Sequence, residues 1–322
     1  MTELQRYLAE EVAEDHSDGI ITRREAVRRL GLLGVGATAA SALLSAAATE
    51  AAGAGAATTR KRRSRGSRST EWAPVETEEI TFPGPTATLM GSWAPAAKAR
   101  GSVLVIHENR GLNDHIRSVA GRLAGSGFSS LAIDLLSEEG GTGSFPDEAE
   151  VAAALSQIPP ERFDADMKAG ITELKRRVPR KKVAAIGFCF GGGMVWRLLA
   201  AGERRLDAAA PFYGPFPADG DLRRTKAAVL AVYGGLDTRV NATRDAAKAA
   251  VEAARLRHEF LTFTLADHAF FNDTGARFDP AAMAEAYRRV LAWFGDSHDR
   301  HHGHGKHNGH GKHGKHGRRD DD

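Results

Sequence analysis

Apolar runs and amphipathic segments alternate along residues 71–296, and this alternation limits the fold more than any other feature of the chain. The predicted strands lie at 103–107, 130–134, 183–187, 228–234 and 258–265. The predicted helices lie at 114–126, 161–177, 194–201, 242–255 and 280–295. Strands that are apolar on both faces, with helices between them, are typical of a parallel sheet covered on both faces. Residues 80–82 and 88–93, on either side of Pro83-Gly84-Pro85, predict an antiparallel hairpin at the sheet edge. The sequence therefore predicts one α/β domain with a mostly parallel central sheet.

The first 57 residues have the pattern of an export signal rather than of a domain. Arg23 and Arg24 precede an uncharged run at 30–44 that is rich in Gly and Ala, and small residues including Ala46-Ala47-Ala48 follow. A basic region, a short apolar region and an A-x-A site are typical of a bacterial signal peptide, and the paired arginines indicate the twin-arginine route. We therefore expect residues 1–57 to direct export to the periplasm or beyond. The alternative is a buried or frayed N-terminal helix.

Two charged segments flank the predicted domain. Residues 58–70 form a basic linker, and residues 297–322 repeat Gly, His and Lys without an apolar period, which predicts a disordered tail. Eight of the 13 histidines lie in this tail, and imidazole suits Zn²⁺, Cu²⁺ and Ni²⁺. The candidate ligands of a weak divalent-metal site are His301, His302, His304 and His307. The alternative is that these histidines only keep the tail soluble.

Charge and cysteine content exclude two classes of protein. The net charge of +3 comes from the ends, because residues 71–296 carry 27 Lys and Arg against 29 Asp and Glu. A nucleic-acid-binding domain is therefore not expected. The single cysteine excludes a disulfide framework and any zinc site built on several thiolates.

The most specific motif is Gly187-Phe188-Cys189-Phe190-Gly191, which lies between a predicted strand and a predicted helix. It matches the G-x-S-x-G nucleophile elbow with Cys in place of Ser. The sharp turn strains the backbone of the nucleophile, and glycine neighbours avoid a steric conflict. The motif also puts the sulfur at a helix N-terminus, where the dipole favours the thiolate. Cys189 is therefore the candidate nucleophile.

The partners of a catalytic triad follow in the order nucleophile, acid, histidine. Asp237 lies just after the predicted strand 228–234, and His268 lies just after 258–265. Active sites of open α/β sheets are built at such strand ends. Asp267 is a weaker candidate for the acid, because it is adjacent to His268 and badly placed to orient it.

A further polar segment, HENRGL at 107–112, also follows a predicted strand. In an elbow enzyme the loop at this position supplies an amide to the oxyanion hole. The candidate donors are therefore the backbone N–H groups of Asn109 and Phe190, and Glu108 is expected near the sulfur. A metal site at His107 and Glu108 is weakly indicated, because no second histidine follows four residues later.

Four motifs in order, HExxGL at 107–112, GFCFGG at 187–192, GxxD at 234–237 and DHAFFN at 267–272, resemble the dienelactone hydrolase (carboxymethylenebutenolidase) family. The resemblance covers residues 71–296 and implies an α/β-hydrolase fold with a Cys189–Asp237–His268 triad. It also implies that Glu108 helps to activate the thiol when substrate arrives. Tyr213 matches a tyrosine that lines the pocket of the family, although it could simply pack against a strand end.

This chain departs from the family at two positions that hold the substrate carboxylate with arginine. Residues 137–140 are Ser-Glu-Glu-Gly, and the position four residues beyond His268 is Asn272. Arg110, Arg117 or Arg277 could supply a substitute charge. We therefore expect a cofactor-independent hydrolase of small activated esters or lactones, with the substrate left open. The alternatives are a broad carboxylesterase and an envelope metal-binding protein that acts through its tail.

Overall fold

The computed structural model describes residues 1–54 and 72–299. Its strands are β1 (Glu78–Pro83), β2 (Thr88–Ala94), β3 (Gly101–Ile106), β4 (Phe128–Asp134), β5 (Val183–Phe188), β6 (Leu206–Phe212), β7 (Ala228–Gly234) and β8 (His258–Phe263). Its helices are α1 (Glu3–Ser17), α2 (Arg23–Leu32), α3 (Ala37–Ala54), α4 (Asp114–Gly125), α5 (Glu148–Gln157), α6 (Pro160–Arg177), α7 (Phe190–Ala200), α8 (Thr238–Asn241), α9 (Arg244–Ala253) and α10 (Pro280–Asp299).

The eight strands form one sheet in the order β1-β2-β4-β3-β5-β6-β7-β8. The strands β1 and β2 form the predicted antiparallel edge, and β2 joins β4 antiparallel. Every pairing from β4 across to β8 is parallel. The predicted fold class, a mostly parallel sheet in an α/β domain, is confirmed. The strand β6 and the helix α5 were not predicted by periodicity.

Helices cover both faces of the sheet, and the side chains of β4 show it directly. Alternate residues of a strand point to opposite faces. The ring of Phe128 lies 6.0 Å from that of Phe294 on α10. Ile133 lies five positions further along and points to the other face, where a Cβ at Gly170 of α6 would lie 3.4 Å from its Cδ1 atom. The helices α6 and α10 therefore lie on opposite sides of the sheet.

Local capping accounts for where two of the helices begin. Asn113 accepts a hydrogen bond from the Ile116 amide at the start of α4, 3.2 Å away. Asp147 accepts hydrogen bonds from the amides of Ala149 and Glu150 at the start of α5. These side chains satisfy amides that have no partner within the helix.

Residues 1–54 form three helices that pack against one another and against the α/β domain. Thr2 and Gln5 form a reciprocal capping box at the start of α1. Leu30 of α2 is fully buried, and Arg28 pairs with Asp147 at the start of α5, at 2.5 Å. A helical structure does not test whether residues 1–57 direct export, so the export signal stays a prediction.

The two flanking predictions fall largely outside the described residues. The basic linker 58–70 and the histidines His301, His302, His304 and His307 all lie beyond them. The helix α10 continues to Asp299, three residues past the predicted end of the domain at 296. Within the described ranges no helix is long and apolar enough to span a membrane.

Candidate active site

Cys189 lies in the sharp turn between β5 and α7, at the carboxyl end of the central strand. Its backbone, with φ of +56° and ψ of −118°, is strained as the elbow motif predicts. A Cβ at Gly187 would lie 2.1 Å from the carbonyl oxygen of Gly191, and one at Gly191 would lie 2.4 Å from that of Ile106. The glycines are therefore required by the close approach of the backbone on both sides of the sulfur.

The structure brings the other two triad candidates to the same edge of the sheet. The Nδ1 atom of His268 lies 2.6 Å from Oδ2 of Asp237, and both side chains are about 1% exposed. Oδ1 of Asp237 accepts a hydrogen bond from the Val240 amide. Asp267 instead accepts one from the backbone N–H of His268 and does not orient its ring. A ring nitrogen of His268 lies within 4.8 Å of the sulfur.

Burial and charge set the protonation of these three groups. Burial lowers the pKa of His268, but Asp237 and the Cys189 sulfur together raise it well above its usual value. Burial likewise opposes ionisation of Asp237, yet His268, Arg239 and the Val240 amide together lower its pKa. The pKa of the Cys189 thiol is raised, first by burial and then by a nearby carboxylate, that of Glu11. The helix dipole predicted to favour the thiolate is therefore outweighed.

Two residues of α1, Tyr7 and Glu11, contact the sulfur directly. The hydroxyl of Tyr7 lies 3.3 Å from Sγ of Cys189. The thiol lies 3.4 and 3.5 Å from the two carboxylate oxygens of Glu11 and can donate to either. These contacts were not predicted, because residues 1–57 have the sequence pattern of an export signal. The available clue was the spacing of Tyr7, Glu11, Glu14 and Asp18, which puts them on one face of a helix.

Glu108, predicted near the sulfur, is buried beside the site but is not hydrogen-bonded to it. Its Oε2 accepts a hydrogen bond from Nδ2 of Asn272 at 2.7 Å, and its Oε1 has no partner among the described residues. Its negative charge contributes to the raised pKa of Cys189. Asn272, which replaces the family arginine, therefore holds Glu108 in place.

Tyr213 is fully buried, and its ring lies 5.2 Å from that of His268. Its hydroxyl has no hydrogen-bond partner within the described part of the chain. Burial, and then Glu108, raise the pKa of this phenol well above its usual value. Tyr213 therefore presents a neutral hydroxyl next to the candidate triad.

The loop after β3 is built around His107. Its Nε2 accepts a hydrogen bond from the Leu135 amide, so its Nδ1 donates to the Glu108 carbonyl oxygen, 2.6 Å away. Burial lowers the pKa of His107, which agrees with a neutral ring. Asn109, the next residue of the loop, lines a cavity with Cys189 and His268. That the backbone amides of Asn109 and Phe190 form an oxyanion hole stays a prediction.

Two cavities adjoin the site. The one that reaches Cys189 and His268 has a volume of only about 40 Å³. A second cavity of about 290 Å³ is mainly apolar and lies between the start of α1 and the start of α6. Its lining includes Leu4, Tyr7, Phe163, Phe190 and Met194.

One set of side chains in the described ranges could hold a metal ion. Donor atoms of Glu11, Cys189 and His268 lie within 4.8 Å of one another. Two of these residues are the triad candidates themselves, so a bound metal and a nucleophilic thiol would compete for the same atoms.

Comparison with known proteins decides the family. The profile of the dienelactone hydrolase family matches residues 87–298. The chain belongs to the dienelactone hydrolase family. A relative from Escherichia coli O157:H7 named "Putative carboxymethylenebutenolidase" is 30% identical over 207 residues, which cover 60% of this chain and 75% of that protein.

Solved structures agree with this membership. A metagenomic dienelactone hydrolase-like promiscuous phosphotriesterase is 25% identical, with a TM-score of 0.61, and the match covers 69% of this chain and 98% of that one. An α/β hydrolase from a deep-sea metagenome library is 14% identical, with a TM-score of 0.54 over 70% of this chain and 99% of that one, which shows the shared fold. This member of the dienelactone hydrolase family therefore has the α/β-hydrolase fold and is a hydrolase of esters or lactones.

Proposed function

We propose that this protein hydrolyses activated esters or lactones with a Cys189–Asp237–His268 triad. The observation that carries the proposal is the 2.6 Å contact between Asp237 and His268 beside a cysteine in an elbow turn. The contact fixes the tautomer and the orientation of the imidazole, as the aspartate of a triad does. The cysteine lies at the N-terminus of α7, where amides are available to developing negative charge.

The proposed reaction has two steps. His268 takes the proton of the Cys189 thiol, the thiolate attacks the acyl carbon, and the amides of Asn109 and Phe190 stabilise the oxyanion as it forms. The C–O bond of the ester breaks, and His268 gives the proton to the departing oxygen. In the second step His268 takes a proton from water, which attacks the thioester. The C–S bond breaks, the acid leaves, and His268 returns the proton to the sulfur. Thiolate is a better leaving group than alkoxide, so good leaving groups such as enolates favour the forward reaction.

A second candidate, a broad carboxylesterase, is favoured by the apolar side chains that the α/β domain contributes to the larger cavity, which are Phe163, Phe190 and Met194. Arg197, which also lines it, is paired with Asp164 at 2.7 Å. An apolar acyl or alkyl group suits such a lining better than a carboxylate does. The ratio of kcat/KM for an apolar ester to kcat/KM for a carboxylate-bearing lactone distinguishes the two candidates. A broad carboxylesterase should have the higher ratio.

The experiment for the triad uses the full chain with p-nitrophenyl acetate and a set of lactones. We expect Cys189→Ala and His268→Ala to lose at least about a thousandfold in kcat/KM. The matched control for Asp237→Asn is Asp245→Asn, an exposed residue of α9, which should keep the full rate. Mass spectrometry should detect an acyl adduct on Cys189 alone. Full hydrolysis by Cys189→Ala would end the proposal.

A further inference from the structure

The mouth of the site is covered by a helix that carries acidic residues on its inner face. The buried residues of α1 include Tyr7, Glu11 and Asp15. Cys189 itself is only 2% exposed, although a nucleophile must meet a substrate that arrives from solvent. The cover therefore comes from this chain, and its buried face carries two carboxylates beside apolar residues such as Leu8, although carboxylates are seldom buried without a partner.

Each carboxylate on this face has a partner on the α/β domain. Asp15 and Asp18 pair with the two terminal nitrogens of Arg277, at 2.7 and 2.8 Å. Glu14 pairs with Arg239 at 3.3 Å. The guanidinium of Arg239 also lies over the ring of Tyr7, 4.4 Å from its centroid. The charge of the helix is therefore complementary to the charge around the site.

The fourth acidic contact is with the sulfur of Cys189. The Glu11 carboxylate lies against the Cys189 thiol, which can donate its proton to either oxygen. A negative charge at this position disfavours the thiolate, which is the reactive form of cysteine. The helix therefore covers the sulfur and also keeps it protonated.

The space that remains is too small for a substrate. The cavity that reaches Cys189 and His268, at about 40 Å³, has room for a few water molecules at most. Cavities that bind small-molecule ligands usually measure about 300–1,000 Å³. An ester cannot reach the sulfur while α1 remains in place.

We propose that the mouth of the active site is a docking surface for the acidic face of α1, and that the docked state is the inactive state of the enzyme. Arg277 and Arg239 hold the helix, and Glu11 occupies the position next to the sulfur that a substrate must take. Release of α1 opens the site. This inference rests on the proposed function only for its effect on hydrolysis, because the covering of Cys189 can be measured without any substrate.

The test compares full-length variants by their rate of alkylation with iodoacetamide at pH 7.5. We expect Glu11→Gln, and the double variant Asp15→Asn/Asp18→Asn, to react at least about tenfold faster than the unmodified protein. The double variant removes both ion pairs between α1 and Arg277 and leaves Arg277 its pair with Asp267, 3.7 Å away, which disfavours docking. The matched control is Glu10→Gln, because the side chain of Glu10 makes no hydrogen bond or ion pair within the described ranges. This control should react like the unmodified protein.

The same variants are assayed for hydrolysis of p-nitrophenyl acetate, and circular dichroism checks that each is folded. Faster alkylation with a rise in kcat/KM of at least about tenfold supports the inference. Faster alkylation with no hydrolysis in any form supports the covering role of α1 but contradicts the proposed function. Equal alkylation rates in all variants would overturn the inference. So would a loss of existing hydrolysis in Glu11→Gln and in the double variant, because α1 would then complete the site.

Discussion

At the scale of single residues, the protonation of Cys189 is decided by its surroundings rather than by its position in the motif. The elbow places the sulfur at a helix N-terminus, which favours the thiolate. Burial and the Glu11 carboxylate act in the opposite direction and raise its pKa. A buried thiol with a raised pKa is also protected from oxidation, because the thiolate is the form that oxidants attack.

The raised pKa predicts how stability depends on pH. A group whose pKa is higher in the folded state stabilises the fold fully below its unfolded pKa, and this contribution is lost as pH rises through the folded pKa. The free energy of unfolding should therefore fall, relative to that of Cys189→Ser, by about 1.4 kcal/mol per pH unit above about pH 8.5. Urea unfolding of both proteins at pH 7.5 and 9.5 under reducing conditions measures this fall. The same change with pH in the free energy of unfolding of the two proteins would contradict the raised pKa.

A second prediction at this scale concerns Glu108, which is buried and held by Asn272. Glu108→Gln keeps the shape of the side chain and removes its charge. We expect kcat to fall by about a hundredfold, the usual size of a contribution from a positioned acid or base. The free energy of unfolding should change little, because one oxygen of Glu108 has no partner within the described residues. A full hydrolytic rate would exclude Glu108 from the mechanism.

At the scale of elements, the elbow depends on how closely α7 approaches the neighbouring strand ends. Gly192, in the first turn of α7, faces the end of β6. A Cβ there would lie 2.3 Å from the carbonyl oxygen of Phe212 and 2.9 Å from the amide nitrogen of Gly214. Both contacts are with backbone atoms, which cannot move without disturbing the turn.

Gly192→Ala should therefore destabilise the protein although alanine is the better helix former. We expect a loss of about 1–3 kcal/mol in the free energy of unfolding, as for other overpacked sites. Gly143→Ala is the control, since a Cβ there meets nothing within 4 Å, and its effect should stay within about 0.5 kcal/mol. Equal stability of the two variants in urea unfolding would show that the turn has room to adjust.

At the scale of the whole molecule, we propose that residues 1–57 direct export and that their first helix, α1, also covers the active site. Arg23 and Arg24 lie exposed in the first turn of α2, close in sequence to the helix that covers Cys189. The twin-arginine route carries folded proteins, so α1 could remain docked until the protein is exported. Cleavage near Ala46-Ala47-Ala48 would then remove α1 and open the site.

Export is tested by replacing Arg23 and Arg24 with lysine. Both side chains are exposed, so the fold should be unchanged while the protein stays in the cytoplasm. Cell fractionation measures the distribution, and the N-terminal sequence of the exported form shows where it is cleaved. An unchanged distribution, or an exported form that begins at Met1, would contradict the proposal.

The histidine-rich tail gives the last prediction. We propose that it binds Zn²⁺ or Ni²⁺ weakly, because eight histidines lie between 298 and 316. Removal of residues 300–322 leaves α10 whole and should abolish most metal binding in calorimetry, with hydrolysis unchanged. Hydrolysis that disappeared with the tail, or that returned only with metal, would contradict the cofactor-independent mechanism.

The sequence alone was enough to predict the fold class and the edge of the sheet at which Cys189, Asp237 and His268 meet. Strand and helix patterns are local, and Cys189, Asp237 and His268 each follow a strand whose carboxyl end must lie at the same edge of a parallel sheet. Only the tertiary structure showed what meets the sulfur. Glu11 and Cys189 are 178 residues apart, and no local pattern relates them. Their contact depends on the docking of α1 through ion pairs with Arg277 and Arg239, which involves charges that are distant in the chain.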